Sequence, residues 1–259
     1  MLEVEAMEQL TVGIIGCGFI GSALKVWLEE HNPLVRIVVS DPPKGMNDDI
    51  SGADLYFIQI HVPTEADGTQ DLSLLKQLIV ALPDKPIFVR TTILPGTSAL
   101  LSQETGHRVY FMPEFLTERT YIEDFRTQPM VFPAEEALLK RVFPGKRYLT
   151  MNSLEAEITK YAHNVFGALK VTYFNCVADT CRRHHLDYEK VHAGCLLSGY
   201  INAMHTAVPG PDGKLGYGGK CFPKDVNALA EWAKGTPLGD LIAPLHRLNV
   251  GFRGVEERL

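Results

Sequence analysis

Apolar residues along the first 150 positions come in short runs separated by turn residues, with helical spacing in some of the stretches between them. Leu10 to Ile15 is the first such run, rich in β-branched residues, and it predicts a strand. Gly16-Cys17-Gly18-Phe19-Ile20-Gly21 follows, and then Ala23, Leu24, Trp27 and Leu28 recur at helical spacing. Leu34 to Val39 reads as a second strand ending at Asp41, and further runs lie at Leu55 to Ile60, Ile87 to Arg90, Val109 to Met112, Met130 to Phe132 and Tyr148 to Thr150. Asp71 to Leu82 is helical in pattern, with Asp71 placed as its cap. Strands alternating with helices predict an α/β fold with a doubly wound, mostly parallel sheet over residues 1–150.

From Ser153 the period changes to that of a helix running to about Arg182, and a helical domain over 151–259 is expected. Leu154, Ile158, Ala162, Val165, Leu169, Thr172 and Cys176 form its apolar stripe, expected to be core. Lys160, Asn164, Ala168, Val171 and Asn175 form a second line, in which a lysine and two amides sit among small or apolar neighbours and Lys160 with Asn164 suits a cleft. Arg182, Arg183, His184 and His185 are expected to complement the helix dipole at its C-terminus.

Composition narrows the classes. The 259 residues are 46% hydrophobic and 22% charged with a net charge of −6, as in an ordinary globular protein, and the charges are spread along the chain. There is no basic stripe for nucleic acid and no polybasic or long apolar run for a membrane, so a small-molecule partner is expected. The first ten residues carry three glutamates and no lysine or arginine, opposite to a targeting leader. Five cysteines without framework or CxxC spacing suit a reducing, cytoplasmic setting and argue against a zinc site, so no metal is expected.

Two stretches carry candidate chemistry. The glycine turn stands between a strand and a helix with an acidic residue twenty positions on from Gly21, the context that dinucleotide binding requires. Gly16 would make the tight turn, Gly18 would admit the pyrophosphate, and Gly21 would let helix pack on strand, with Phe19 and Ile20 opening the helix toward the phosphates. Asp41 would hold the ribose hydroxyls and repel a 2′-phosphate, favouring NAD over NADP in a Rossmann-like domain. The second stretch, GYGGKCFPKD (216–225), places Cys221 between glycines and a helix start. Pro223 suits the first turn, and Val226, Leu229, Ala230 and Ala233 follow at helical spacing. Free amides, the helix dipole, Lys220 and Lys224 would favour a thiolate there, and the glycines would let the backbone approach a ligand. The loops at strand ends, HVPT (61–64), RTTILPGT (90–97) and MPEFL (112–116), are expected to line the site. Pro63, Thr64, Thr92 and Lys224 are assigned to the cofactor, and Glu114, Phe115, Leu116, Lys160, Asn164, Tyr217, Gly218 and Gly219 to the substrate.

GYGGKCFPKD, RTTILPGT, MPEFLTERTYIEDF and EAEITKYAHNVFGALK, in order behind the glycine turn, resemble the UDP-glucose/GDP-mannose 6-dehydrogenases across about residues 11–235. Members of that family oxidise a primary alcohol of a nucleotide sugar to a carboxylate with two NAD. The resemblance implies a nucleophile at Cys221, oxyanion donors at Lys160 and Asn164, and a proton-handling role for Asp225 beside Lys224. It also implies a water ordered by Glu114 and Thr92, and a homodimer paired through the last helices. Some features depart from the family: Met112 stands where asparagine is usual, IHVPT differs from V-x-T-P, no arginine lies between Tyr200 and Gly216, and no second nucleotide-fold domain follows. Three readings follow, and the first of them is the expectation. They are a minimal sugar dehydrogenase, an NAD dehydrogenase for a smaller alcohol or sugar phosphate, and a non-catalytic or split subunit completed by a partner chain. The Lys-x-x-x-Asn pair is also similar to that of the 6-phosphogluconate and hydroxyisobutyrate dehydrogenases, which need no thiol.

Overall fold

The structure, a computed structural model, describes residues 9–65 and 67–254. Most of the acidic N-terminal stretch, residues 1–8, lies outside the described residues. Contacts divide the chain into two units, Met1–Pro63 with Asp71–Lys160, and Thr64–Gln70 with Tyr161–Leu259. The line therefore falls inside a long helix, at 160/161 where the sequence pattern puts 150/151, and the short segment 64–70 goes with the second unit.

In unit 1, strands β1 (Thr11–Ile15), β2 (Arg36–Asp41), β3 (Met46–Asn47), β4 (Leu55–Ile58), β5 (Ile87–Val89) and β6 (Val109–Phe111) form one sheet in the order β3-β2-β1-β4-β5-β6. All pairings are parallel except that of β3, an antiparallel edge. The strand order reverses at β1, so the carboxyl ends of β1 and β4 flank the switch point where ligands of such sheets bind. Side chains alternate between two cores, as a sheet covered on both faces requires. Leu55, Phe57 and Phe88 join Trp27 and Leu28 of helix α1 (Phe19–His31) on one face. Tyr56, Ile58, Ile87 and Val89 join Leu75 and Ile79 of α2 (Ser73–Ala81) and Leu101 of α3 (Thr97–Thr105) on the other. Phe57 and Phe88 stack with centroids 5.4 Å apart, and truncating either to alanine is expected to cost about 3–5 kcal/mol.

Three expectations are corrected in this unit. After α4 (Tyr121–Thr127), strand β7 (Met130–Phe132) does not extend the sheet but pairs with β8 (Tyr148–Thr150) in a separate two-stranded sheet, with α5 (Glu136–Val142) between them. Asp71 is not the cap of α2, because Leu72 holds that position, though Asp71 Oδ1 still accepts from Ser73 N at 2.9 Å. The third concerns the long helix α6 (Ser153–Arg183), where most of the polar line is buried beside only part of the expected apolar stripe, Val165 and Thr172. Lys160, Asn164, Ala168 and Asn175 are buried, whereas Leu154 and Ile158 of the expected apolar stripe are 49% and 44% exposed.

Unit 2 holds the rest of α6 with α7 (Tyr188–Leu196), α8 (Phe222–Trp232) and α9 (Pro237–Arg253). Segment 64–70 closes on itself through the Thr64–Gln70 bridge and packs on α8 at Gly68, where an added Cβ would lie 2.9 Å from the Asn227 carbonyl oxygen. At the end of α6, Arg182 and Arg183 are exposed and both bond Asp179 at 2.6 Å, a solvated arrangement as expected. Among the described residues no helix is long and apolar enough to cross a membrane.

Candidate active site

The glycine turn takes the form that its spacing predicts. Gly16 has φ +84°, and a Cβ there would lie 2.8 Å from the Gln59 carbonyl oxygen. A Cβ on Gly21 would meet the Gly16 oxygen at 2.2 Å, so helix α1 can approach β1 only without one. A Cβ on Gly18 would meet nothing within 4 Å, which leaves the outer face of this residue open. No side chain caps α1, and its first turn holds no acid, so the first amides and the positive helix end suit an anion such as a pyrophosphate. Asp41 Oδ2 accepts from Cys17 N at 2.7 Å, tying the end of β2 to the turn. These residues fit a dinucleotide. Gln59, which no sequence motif singles out, braces the same turn: its Nε2 donates to the Gly16 oxygen at 3.1 Å. Lys44 does likewise from the other side, donating to the Cys17 oxygen at 2.5 Å.

A second cluster in unit 1 gathers around Glu114. Lys160 Nζ donates to the Glu114 carbonyl at 2.5 Å and to its Oε1 at 2.9 Å, while Oε2 accepts from Leu116 N at 2.6 Å. Lys160 also lies over the Phe115 ring, 5.6 Å from its centroid. Arg90 adds a second buried cation. It is 2% exposed, sits 5.2 Å over the Phe125 ring, and its Nε and Nη1 make no hydrogen bond. Burial pulls its pKa down to about 10, opposed by the charge of Glu114, so it stays protonated at neutral pH. Two buried cations thus act on one carboxylate, Lys160 by direct bonds and Arg90 through its charge, and Arg90 opens the RTTILPGT loop that the sequence pattern places at the site. Thr92 is buried two residues further on. Glu157, which lies within the EAEITKYAHNVFGALK stretch but has no role assigned there, is fully buried one turn before Lys160 and accepts from Gly96 N at 2.6 Å and Ser98 N at 2.9 Å, so it holds the start of α3. Burial raises its pKa, against the lowering effect of those bonds.

In unit 2, Cys221 is the N-cap of α8, exposed, with Pro223 in the first turn. This is the placement the sequence predicts, at the positive end of a helix. Asp225, one turn on, is 1% exposed and fully engaged. Its Oδ2 accepts from Asn164 Nδ2 at 2.7 Å and its Oδ1 from Lys224 Nζ at 2.5 Å. His163 Nδ1 lies 3.0 Å from Asn164 Oδ1, which orients the amide with its nitrogen toward the carboxylate. Thr64 Oγ1 is buried with no hydrogen bond, and the Pro63–Thr64 step is where the chain passes between the units.

The glycines of the cysteine loop need correction. Their expected role is to admit a ligand, but a Cβ on Gly216 would lie 2.4 Å from Asn249 Oδ1, and one on Gly218 would lie 2.7 Å from Arg253 Cζ. Those two are glycine because side chains of α9 press on them, and only Gly219, at φ +76°, keeps an open face. Tyr217 between them is 2% exposed and packs edge-on against Phe222. Arg253 of α9 reaches this loop and donates to the Gly216 oxygen at 3.2 Å.

Comparison with known proteins follows the same lines. Residues 154–247 match the model for the UDP-glucose/GDP-mannose dehydrogenase family, central domain. A UDP-glucose 6-dehydrogenase of Pseudomonas aeruginosa is 33% identical over 211 residues, covering 71% of this chain and 46% of the relative. One from Rickettsia conorii is 28% identical over 201 residues, covering 71% and 45%. The chain spans about half the length of these relatives. A UDP-glucose dehydrogenase structure from Pyrobaculum islandicum superposes with a TM-score of 0.77 at 24% identity, covering 96% of this chain and 70% of that one, a likeness of fold. With residues 154–247 matching that family's central domain and 71% of its length similar to these relatives, the chain belongs to the UDP-glucose/GDP-mannose dehydrogenase family.

Proposed function

We propose that the protein is an NAD-dependent oxidoreductase that converts the primary alcohol of a nucleotide sugar to a carboxylate through a covalent adduct on Cys221. The observation that carries this reading is Cys221 at the uncovered N-terminus of α8, with a buried acid, Asp225, one turn behind it. NAD, when bound, accepts a hydride in each of two oxidations. After the first, the Cys221 thiolate adds to the aldehyde carbon and the oxygen takes up the C=O electron pair, giving a thiohemiacetal. Loss of a hydride from that carbon leaves a thioester, and water cleaves the C–S bond to release the acid and the thiol. Lys160 and the second amide hydrogen of Asn164 serve as donors to the oxyanion. Asp225, held by Asn164 and Lys224, relays protons, and Glu114 with Thr92 orders the water.

Pro63, Thr64 and Lys224 complete the cofactor contacts in this reading, and Phe115, Leu116 and Gly219 border the substrate. The active form is a homodimer, supported by exposed apolar side chains of unit 2 such as Phe166, Tyr173 and Leu241, at 64%, 59% and 55% exposure. The test is NADH formation with UDP-, GDP- and dTDP-sugars and free sugar phosphates, alongside Cys221→Ser. Two NADH per substrate, with acid formation lost in the variant, is the expected outcome. Normal acid yield from Cys221→Ser would sink the covalent route. Turnover of a free sugar phosphate alone would move the substrate to the smaller class.

A further inference from the structure

Residues 216–218 lie in neither helix nor strand, yet they are packed against the interior of unit 2, so their backbone groups need partners. Side chains provide them. Gly216 N donates to Asn175 Oδ1 of α6 at 2.9 Å. Tyr217 N donates to Asn249 Oδ1 of α9 at 2.7 Å, and the Tyr217 oxygen accepts from Asn249 Nδ2 at 2.9 Å. The Gly216 oxygen accepts from Arg253 Nη2 at 3.2 Å, and the same guanidinium nitrogen bonds Asp212 Oδ2 at 2.7 Å. The Asn249 amide therefore mimics a strand neighbour, giving one acceptor and one donor to a single residue. Its orientation is forced, because a flipped amide would set donor against donor and acceptor against acceptor.

We infer that Asn249 is a positioning residue that acts through the Tyr217 backbone, four residues before Cys221, to hold the thiol at the first turn of α8. Asn175 and Arg253 support it from either side. Gly216 leaves room for nothing larger than the clasp, since a Cβ would overlap Asn249 Oδ1. Asn249 is 8% exposed and Asn175 2%, so the bonds are shielded from competing water. The inference rests on the proposed role of Cys221, but it concerns how the loop is held.

The experiment measures alkylation of Cys221 by iodoacetamide between pH 6 and 8.5 in the full chain. The modified peptide is followed by mass spectrometry, with Cys195, a half-buried thiol of α7, as internal reference. Asn249→Leu fills the same space without polar atoms and is expected to lower the Cys221 rate at least threefold at every pH, with Cys195 unchanged. Asn249→Asp is the discriminating variant. A protonated carboxyl presents one acceptor and one donor as the amide does, and burial together with that hydrogen bond favours the neutral form. Its rate relative to wild type is expected to be as low as that of the leucine variant at pH 8.5 and to climb toward one by pH 6. Arg253 with its partner Asp212, and the Tyr217 phenol, act alike on Cys221 in all three proteins, and on the introduced carboxyl the Arg253 charge, which favours the ionised form, is offset by Asp212. Cys221 rates equal to wild type in both variants, or an aspartate variant that tracks leucine at every pH, overturn the inference. If Asn249→Leu fails to fold, the aspartate variant alone still carries the comparison between its two pH limits. Because a thiol is read and not turnover, lack of sugar oxidation by the wild type would remove the proposed function and leave the clasp tested.

Discussion

Removing Glu114 should cost more than removing the lysine bound to it. The pair is 4% and 6% exposed at Lys160 and Glu114, and taking away one partner of such a pair generally costs about 3–5 kcal/mol because the other charge is left buried. The two deletions are unequal here. Lys160→Met leaves a carboxylate that keeps the Leu116 amide and the field of Arg90, so about 3 kcal/mol is expected. Glu114→Gln leaves two buried cations, Lys160 and Arg90, with no counter-charge in the cluster, which points to the upper end, about 5 kcal/mol. At roughly 2–4 °C per kcal/mol for a unit of this size, the losses span about 6–20 °C in Tm. The double variant should cost less than the sum, since the charges left stranded differ between the singles. Urea unfolding followed by buried Trp27 in a Trp232→Phe background reports on unit 1. A Glu114→Gln loss no larger than that of Lys160→Met, or losses under about 1 kcal/mol as for exposed pairs, would refute this electrostatic account.

Asp41→Asn keeps an acceptor for Cys17 N but removes the charge, so the preference for NAD over NADP should narrow about tenfold, or about 1.4 kcal/mol, in a binding titration; an unchanged ratio would show that the carboxylate is not the discriminator. Glu157 has its folded pKa raised by burial, so its contribution is fully present below the unfolded value near pH 4 and is lost as pH rises through the raised folded value. The stability of the wild type relative to Glu157→Gln should therefore fall as pH rises above about 4 in urea unfolding, and a rise instead would contradict the sign. Gly216→Ala and Gly219→Ala both force an L residue to positive φ, at about 1–2 kcal/mol each, but only the first also drives a Cβ into Asn249. Thermal melts should rank Gly216→Ala as clearly the worse of the two, and equal losses would count against the close packing of α9 on the loop.

The parts legible in the sequence are those where backbone geometry dictates residue type. A turn with φ +84° at Gly16 and a 2.2 Å approach at Gly21 leave no choice but glycine, so the motif reads directly. The cysteine at a helix start is legible for the same reason, through Pro223. The face of α6 is legible only in part, because periodicity counts apolar residues and its buried side mixes Tyr161, Val165 and Phe174 with polar side chains. Lys160, Asn164 and Asn175 are buried by virtue of Glu114, Asp225 and Gly216, which lie 46, 61 and 41 residues away. No local pattern encodes such partners. Short elements are hidden as well: β3 has two residues, and α3 has three buried ones, Thr97, Ser98 and Leu101, of which only one is apolar. Gln59 escapes because a polar residue at a strand end looks like the start of a loop.

The seven residues between β4 and α2 that fold with unit 2 make both units discontinuous in sequence. Each is therefore inherited as two stretches, and one crossover near position 160 cannot exchange either of them whole. A chimera of two relatives joined there would set one parent's 64–70 segment against the other's α8, at the place where Gly68 touches the Asn227 carbonyl. Viable recombinants should carry 64–70 together with everything from 161 onward, so that two distant stretches of the gene are bound to change as one.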